Sequence, residues 1–108
     1  MTRQEFENNV NTMGNPIYFK LFGEQYSMSP MLINSGLKIV GLEEIGINSE
    51  LAIDEYHEKH KNDDDYYYRD VYVWYKTVDE LLDGFKIDGI PLGELLDKVE
   101  DMWGVVYA

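Results

Sequence analysis

Cysteine is absent from the chain, and histidine occurs only twice in 108 residues. The lack of cysteine excludes a disulfide framework and zinc–thiolate sites, and it is compatible with a reducing compartment. No apolar run approaches the roughly 20 residues that a membrane-spanning helix needs, and the polar amino-terminal segment lacks the pattern of a signal peptide. We therefore expect a cytoplasmic protein.

Catalytic motifs are also lacking. No cysteine nucleophile is available, and none of the serines stands in the pattern of a nucleophile elbow. No glycine-rich phosphate loop occurs. The 21 acidic residues allow so many chance carboxylate pairs that no single pair indicates acid–base chemistry. We predict that the protein is not an enzyme and that it uses no cofactor.

The best arrangement of metal-ligand side chains is Asp54, His57 and Glu58, which fall at i, i+3 and i+4 of a predicted helix. Lys61 shares this face, which favours ordinary ion pairs along the helix over a bound cation. The run Asp63-Asp64-Asp65 lacks the alternating ligands, central glycine and final glutamate of a calcium loop. We predict no dedicated metal site.

Negative charge is abundant and unevenly distributed. Acids and bases balance over residues 1–42, whereas residues 43–108 hold 18 acids against six bases, which accounts for the whole net charge of −12. A field of this sign repels nucleic acid and anionic membranes and attracts cationic partners. The 44% hydrophobic content and the nine tyrosines indicate a folded domain and not a disordered acidic tail.

The first half of the chain is predicted to form one short helix and a β-meander. A capping box at Thr2 and Glu5 begins the helix, and Gly14 ends it. Pro30 should mark a sheet edge or a bulge, because proline cannot donate to a strand ladder. The predicted strands lie at residues 17–22, 25–33 and 37–42, with turns at Gly23-Glu24 and Asn34-Ser35-Gly36.

The second half is predicted to contain three helices around one strand. The helices begin at Asn48 or Ser49, at the capping box of Thr77 and Glu80, and near Pro91 after an Asp88-Gly89 turn, and they end near residues 61, 85 and 102. Residues 103–108 should form a short strand or a docked extension. The order α-β-β-β-α-β-α-α predicts a single small α+β domain, in which an antiparallel sheet of about four strands packs against helices on one face.

The strand between these helices is predicted from alternation over Tyr66–Tyr75. Successive side chains of a strand point to opposite faces. Val71 and Val73 should therefore face the core, and Tyr72 and Trp74 should project together from the other face. Aspartate at position 73 would then bury an unpaired charge and unfold the domain.

An acidic run leads directly into this aromatic segment. Carboxylates can pair with lysine and arginine of a partner, while tyrosine and tryptophan supply rigid contact area. The alternative is a solvated loop followed by a strand buried on both faces, which Asp70 disfavours because an unpaired buried carboxylate is costly. We predict a partner-binding surface made of Asp63, Asp64, Asp65, Tyr68, Asp70, Tyr72 and Trp74.

In size, acidity and tyrosine content the chain resembles the anti-defence inhibitors of bacterial phages and mobile elements, which include nucleic-acid mimics and inhibitors of RNA-guided nucleases. The resemblance is one of composition, and it implies a non-enzymatic inhibitor that covers the basic groove of a nucleic-acid-handling protein, such as a nuclease. An immunity protein that neutralises a basic toxin would need the same surface. A third alternative is a structural or homo-oligomerising phage or accessory domain whose acidity serves only solubility.

Overall fold

The computed structural model describes residues 1–36, 38–63 and 68–105. It contains three α-helices, seven strands and three short 3₁₀ helices. In chain order these are α1 (Arg3–Thr12), β1 (Ile17–Leu21), β2 (Glu24–Ser35), β3 (Lys38–Ser49), α2 (Glu50–His60), a first 3₁₀ helix (Tyr68–Val71), β4 (Val73–Tyr75), α3 (Val78–Gly84), β5 (Lys86–Ile87), β6 (Ile90–Pro91), second and third 3₁₀ helices (Leu92–Glu94 and Leu96–Lys98) and β7 (Glu100–Gly104).

Five of the strands form one antiparallel sheet in the order β4-β3-β2-β1-β7. Strands β5 and β6 form a separate two-stranded hairpin. The α+β class and the antiparallel sheet are confirmed, but the main sheet has five strands where about four were predicted. The additional strand is β7, which pairs with β1 and comes largely from residues predicted to end a helix.

The first helix and hairpin follow their local signals closely. The Thr2 hydroxyl accepts from the Glu5 amide at 3.1 Å, and the Glu5 carboxylate accepts from the Thr2 amide at 3.1 Å, so the capping box is present. The turn between β1 and β2 is Phe22-Gly23, one residue earlier than predicted. Both residues have positive φ (52° and 79°), as a two-residue turn of type I′ requires.

Strands β2 and β3 form a long hairpin of 12 residues on each side. The predicted third strand is too short, because β3 continues through Ile45 and Ile47, which are both buried. Pro30 lies in a central strand, yet the pairing of β2 with β1 ends at Met28. The Pro30 carbonyl accepts instead from the Asn15 side chain at 3.0 Å. Proline is tolerated here because this part of β2 has no β1 partner.

The main hydrophobic core covers one side of the sheet, here named the core face. Helices α1 and α3 and the second and third 3₁₀ helices pack on it, and the ring of Phe6 on α1 meets that of Phe19 on β1 at 6.3 Å. Burial of this apolar surface is the main driving force for folding. The fully buried members with the largest side chains are Phe6, Phe19, Ile17, Leu21, Met28, Ile45, Ile47, Leu81, Leu82 and Leu92.

Helix α2 lies on the opposite side of the sheet, here named the α2 face, so the helices are not confined to one face. Strand alternation places Ser27 and Gly46 on this side. Ile53 of α2 and Val71 of the first 3₁₀ helix are buried, but neither belongs to the main core. The α2 face is thus a second, smaller packed layer with small and polar residues on its sheet side.

The predicted helix over residues 91–102 is wrong. The chain there forms β6, two 3₁₀ helices and β7, and the leucines at positions 92, 95 and 96 are buried nonetheless. Both a 3₁₀ turn and an α-helix place residues i and i+3 on the same side, so the spacing of Leu92 and Leu95 alone does not separate the two. The Asp88-Gly89 turn is confirmed, with φ of 52° and 82°.

Candidate interaction surface

Four of the seven residues predicted to bind a partner, namely Asp63, Asp70, Tyr72 and Trp74, have described side chains, and these lie near α2 and β4. Asp64 and Asp65 fall outside the described residues, as does the side chain of Tyr68. Asp63 is exposed just beyond α2, and Asp70 is exposed in the first 3₁₀ helix. Tyr72 and Trp74 are half-buried on the α2 face, with ring centroids 5.8 Å apart.

The predicted strand over Tyr66–Tyr75 is much shorter in the structure, where only Val73–Tyr75 pairs with β3. The residues at 68–71 form the first 3₁₀ helix, and positions 66 and 67 lie outside the described residues. The Asn48 side chain donates to the Val71 carbonyl at the point where the ladder would continue. A side-chain amide thus takes the place of the next backbone hydrogen bond between β3 and β4, and the strand pairing ends there.

Because a 3₁₀ helix precedes β4, the two valines that were predicted to face the core lie on opposite sides of the sheet. Val71 is only 5% exposed, but it is buried on the α2 face. Val73 pairs with Ile47 and so lies on the core side of the sheet, yet it is 45% exposed because β4 is the sheet edge. The prediction that Val73 is buried is wrong.

Trp74 lies flat across the neighbouring strand because its partner there is Gly46. A Cβ atom at Gly46 would stand 3.0 Å from the Tyr72 Cβ and 3.1 Å from the Trp74 indole, which is closer than ordinary contact. The indole Nε1 donates to the Arg69 carbonyl at 2.8 Å. The indole therefore packs over Gly46 and is held by a hydrogen bond at its Nε1, and it forms a flat platform.

The outer face of this platform is covered by the chain's own arginine. The Arg69 guanidinium carbon lies 4.2 Å from the centroid of the Trp74 ring, and its Nη2 lies 2.5 Å from a Glu44 carboxylate oxygen. Cation–π contact and a charged hydrogen bond act on the same group. Arg69, Glu44 and Gly46 were not among the predicted site residues, because no local pattern signals a contact across 25 positions.

A small polar cluster ties Tyr72 to the sheet beneath it. The Tyr72 hydroxyl and the Ser27 hydroxyl are 3.1 Å apart, and Ser27 is buried. Burial raises the pKa of the Glu50 carboxyl, at the start of α2, and the nearby charge of Asp54 raises it further; a hydrogen bond from Ser27 and the charge of His57 oppose these effects. Tyr72 therefore has a structural contact as well as a half-exposed ring.

The acidic side chains around α2 differ in whether they have counter-ions. Glu58 pairs with Lys61 at 2.6 Å, and Asp63 lies 2.6 Å from the His60 ring. The carboxylates of Asp54, Glu55 and Asp70 are exposed and form no ion pair with any residue that the structure describes. We name the set made of the exposed acids Asp54, Glu55, Asp63 and Asp70 and the half-buried Trp74 the α2–β4 surface.

Two other regions of the surface carry groups of charged residues. On the core-face side, Arg3 forms ion pairs with Asp79 at 3.2 Å and with Asp83 at 3.1 Å, so part of the negative charge there is compensated. An open cleft of about 480 Å³ between α1, the β2–β3 hairpin and the start of α3 is lined by both Glu7 and Lys76. In both of these regions acidic and basic side chains lie close together.

The described residues include no cluster of three potential metal ligands. Within the same parts of the chain, no helix has the length and apolar character that crossing a bilayer requires. Comparisons with known proteins give no match, whether with protein-family models, with curated proteins or with solved structures at a significant level. Any functional proposal must therefore draw on the residues of this chain.

Proposed function

We propose that this protein is a non-enzymatic, intracellular inhibitor that docks its α2–β4 surface into a basic groove of a nucleic-acid-handling protein, as a nucleic-acid mimic of the phage or mobile-element anti-defence type. The observation that carries the proposal is the group of exposed carboxylates at Asp54, Glu55 and Asp70, which form no ion pair with any residue that the structure describes. The same surface includes Trp74, and tryptophan is among the residue types that dominate binding energy at interfaces.

Uncompensated acids favour a cationic partner for a simple electrostatic reason. Like charges on one surface repel one another and destabilise the compact state, and a cationic surface relieves that repulsion. Duplex DNA presents about one negative charge per 1.7 Å of its axis, so a groove that binds it is rich in lysine and arginine. An acidic protein surface can be attracted to the same groove and can associate rapidly at low salt.

The test is affinity capture from native host lysate with matched charge-reversal variants. Asp54→Lys with Asp70→Lys changes the α2–β4 surface, and Glu94→Lys with Asp97→Lys makes the same change in net charge at exposed positions on the core-face side. We expect wild type and the second variant to retain a basic nucleic-acid-binding protein, identified by mass spectrometry, and the first variant to lose it. Excess duplex DNA should release the retained protein.

Three outcomes would contradict the proposal. Equal retention by the two variants would exclude the α2–β4 surface, and retention that is insensitive to salt would exclude steering by exposed charge. Failure of duplex DNA to compete would exclude a nucleic-acid groove. A retained toxin would instead favour the immunity-protein alternative, which uses the same surface.

A second candidate function is self-association through the other edge of the sheet. Trp103 on edge strand β7 is 49% exposed, and its ring stacks on Tyr18 at 4.7 Å. Unpaired sheet edges can pair with a second copy. Glu100 and Asp101 in the same strand oppose this by like-charge repulsion. Sedimentation that reveals a dimer in wild type and a monomer in Trp103→Lys would favour this structural role.

A further inference from the structure

We infer that Trp74, Gly46 and Glu44 form a guanidinium-binding site, which Arg69 occupies in the free protein and which an arginine of the partner takes over on docking. The identity of the incoming arginine depends on the proposed function. The existence of the site does not, because it can be tested with a small guanidinium compound alone.

The geometry is that of a binding site for a planar cation. Gly46 leaves the strand bare, so the indole of Trp74 lies flat and offers one face to the outside. The Glu44 carboxylate stands at the rim of that face, where it meets the guanidinium of Arg69 at 2.5 Å. An aromatic face with a carboxylate at its rim satisfies both the π-stacking and the hydrogen-bonding capacity of arginine.

The Glu44 carboxylate favours a cation on the outer face of the Trp74 indole. Its side chain is only 19% exposed, so the carboxylate is partly removed from water. A sheltered carboxylate without a partner is costly. If Arg69 leaves, a replacement cation would stabilise this carboxylate, and this favours a basic partner over a neutral one.

Arg69 is suited to leave because its side chain and its backbone are held independently. Its carbonyl accepts from the Trp74 indole at 2.8 Å and from the Tyr72 amide at 3.3 Å, and neither bond involves the guanidinium. The side chain is 43% exposed and touches the site from outside. It can therefore swing into solvent while the first 3₁₀ helix keeps its shape.

Arginine is a better occupant than lysine for a physical reason. Its guanidinium is planar, is only weakly hydrated and donates several hydrogen bonds in a fixed fork, so it can stack on the indole and bind the carboxylate together. A lysine ammonium is a compact, strongly hydrated point charge and meets only one of these demands well. The site should therefore discriminate between the two cations.

The test uses Trp74 as its own reporter. The chain has two tryptophans, so Trp103→Phe leaves Trp74 as the single one. In this background, Arg69→Ala empties the site, and N-acetyl-arginine amide is titrated while fluorescence is followed. Because Arg69 competes within the same molecule, its removal should lower the apparent Kd by about tenfold. N-acetyl-lysine amide should bind more weakly, and adding Glu44→Gln should abolish saturation.

The inference is overturned if Arg69→Ala gives no saturable change, if the apparent Kd is the same with and without Arg69, or if Glu44→Gln leaves the titration unaltered. Circular dichroism controls for folding, and Arg69→Gln, which keeps much of the aliphatic stem, replaces Arg69→Ala if that variant unfolds. A failed titration combined with successful capture of a basic partner would refute only this site. A successful titration without a captured partner would refute only the proposed function.

Discussion

Replacing Val71 by aspartate should destabilise the domain strongly, whereas the same replacement at Val73 should have little effect on its stability. Val71 is 5% exposed beneath α2, and Val73 is 45% exposed at the sheet edge. Full burial of a valine side chain contributes about 1.5–3 kcal/mol. A buried carboxylate without a partner costs about 3 kcal/mol more.

These terms set the expected magnitudes. Val71→Asp should lower the free energy of unfolding by about 4–6 kcal/mol, a large part of the roughly 5–15 kcal/mol that holds a domain of this size together. Val73→Asp should lower it by about 1 kcal/mol or less, since an edge strand tolerates charge. Val71→Ala, which removes two methyl groups and leaves a cavity, should cost about 2 kcal/mol and remain measurable.

The assay is urea unfolding followed by circular dichroism, with the slope m compared among the variants. Equal losses for the two aspartate variants, or a larger loss at Val73, would refute the arrangement in which a 3₁₀ helix precedes β4. Such a result would instead indicate one continuous strand that contains both valines.

Two further predictions concern the α2 face. Because the pKa of the Glu50 carboxyl is raised, the folded state holds this proton more tightly than the unfolded state does. The melting temperature of wild type relative to that of Glu50→Gln should therefore fall as pH rises from below the ordinary value of 4.5. A difference in melting temperature that does not change with pH would contradict this. Gly46→Val should cost about 1–3 kcal/mol of overpacking and alter Trp74 fluorescence, while Gly41→Val, in the same strand with open space around it, should do neither.

Signals that act within a few residues predicted the local structure well. Thr2, Ser49 and Thr77 each cap the helix assigned to them, because a cap needs only an amide two or three residues ahead. The first hairpin turn is displaced by one residue because Phe22 adopts the left-handed conformation more usual for glycine. The hairpin itself is where the sequence places it.

Contacts between distant residues determine the parts that the sequence predicts wrongly. Alternation over Tyr66–Tyr75 is a good strand pattern, but Asn48 binds the Val71 carbonyl across 23 positions and ends the pairing. The ion pair of Arg69 with Glu44 spans 25 positions and covers the predicted anchor. Tertiary contacts of this kind override local preference, and they are not visible in a single sequence.

On the α2–β4 surface, Arg69 lies over the Trp74 indole, whereas the carboxylates are exposed to solvent. Both features fit the proposed binding of a cationic partner. A bare tryptophan on an edge strand would invite nonspecific association. Arg69 lies over one face of that ring, and β4 offers only three residues to another strand. The acids at Asp54, Glu55 and Asp70 need no such cover, because charge keeps copies of the chain apart. In the proposed docking, the exposed acids would attract a cationic partner first, and the partner would reach the Trp74 indole only by displacing Arg69. We therefore expect the exchange of one guanidinium for another to be the slow step.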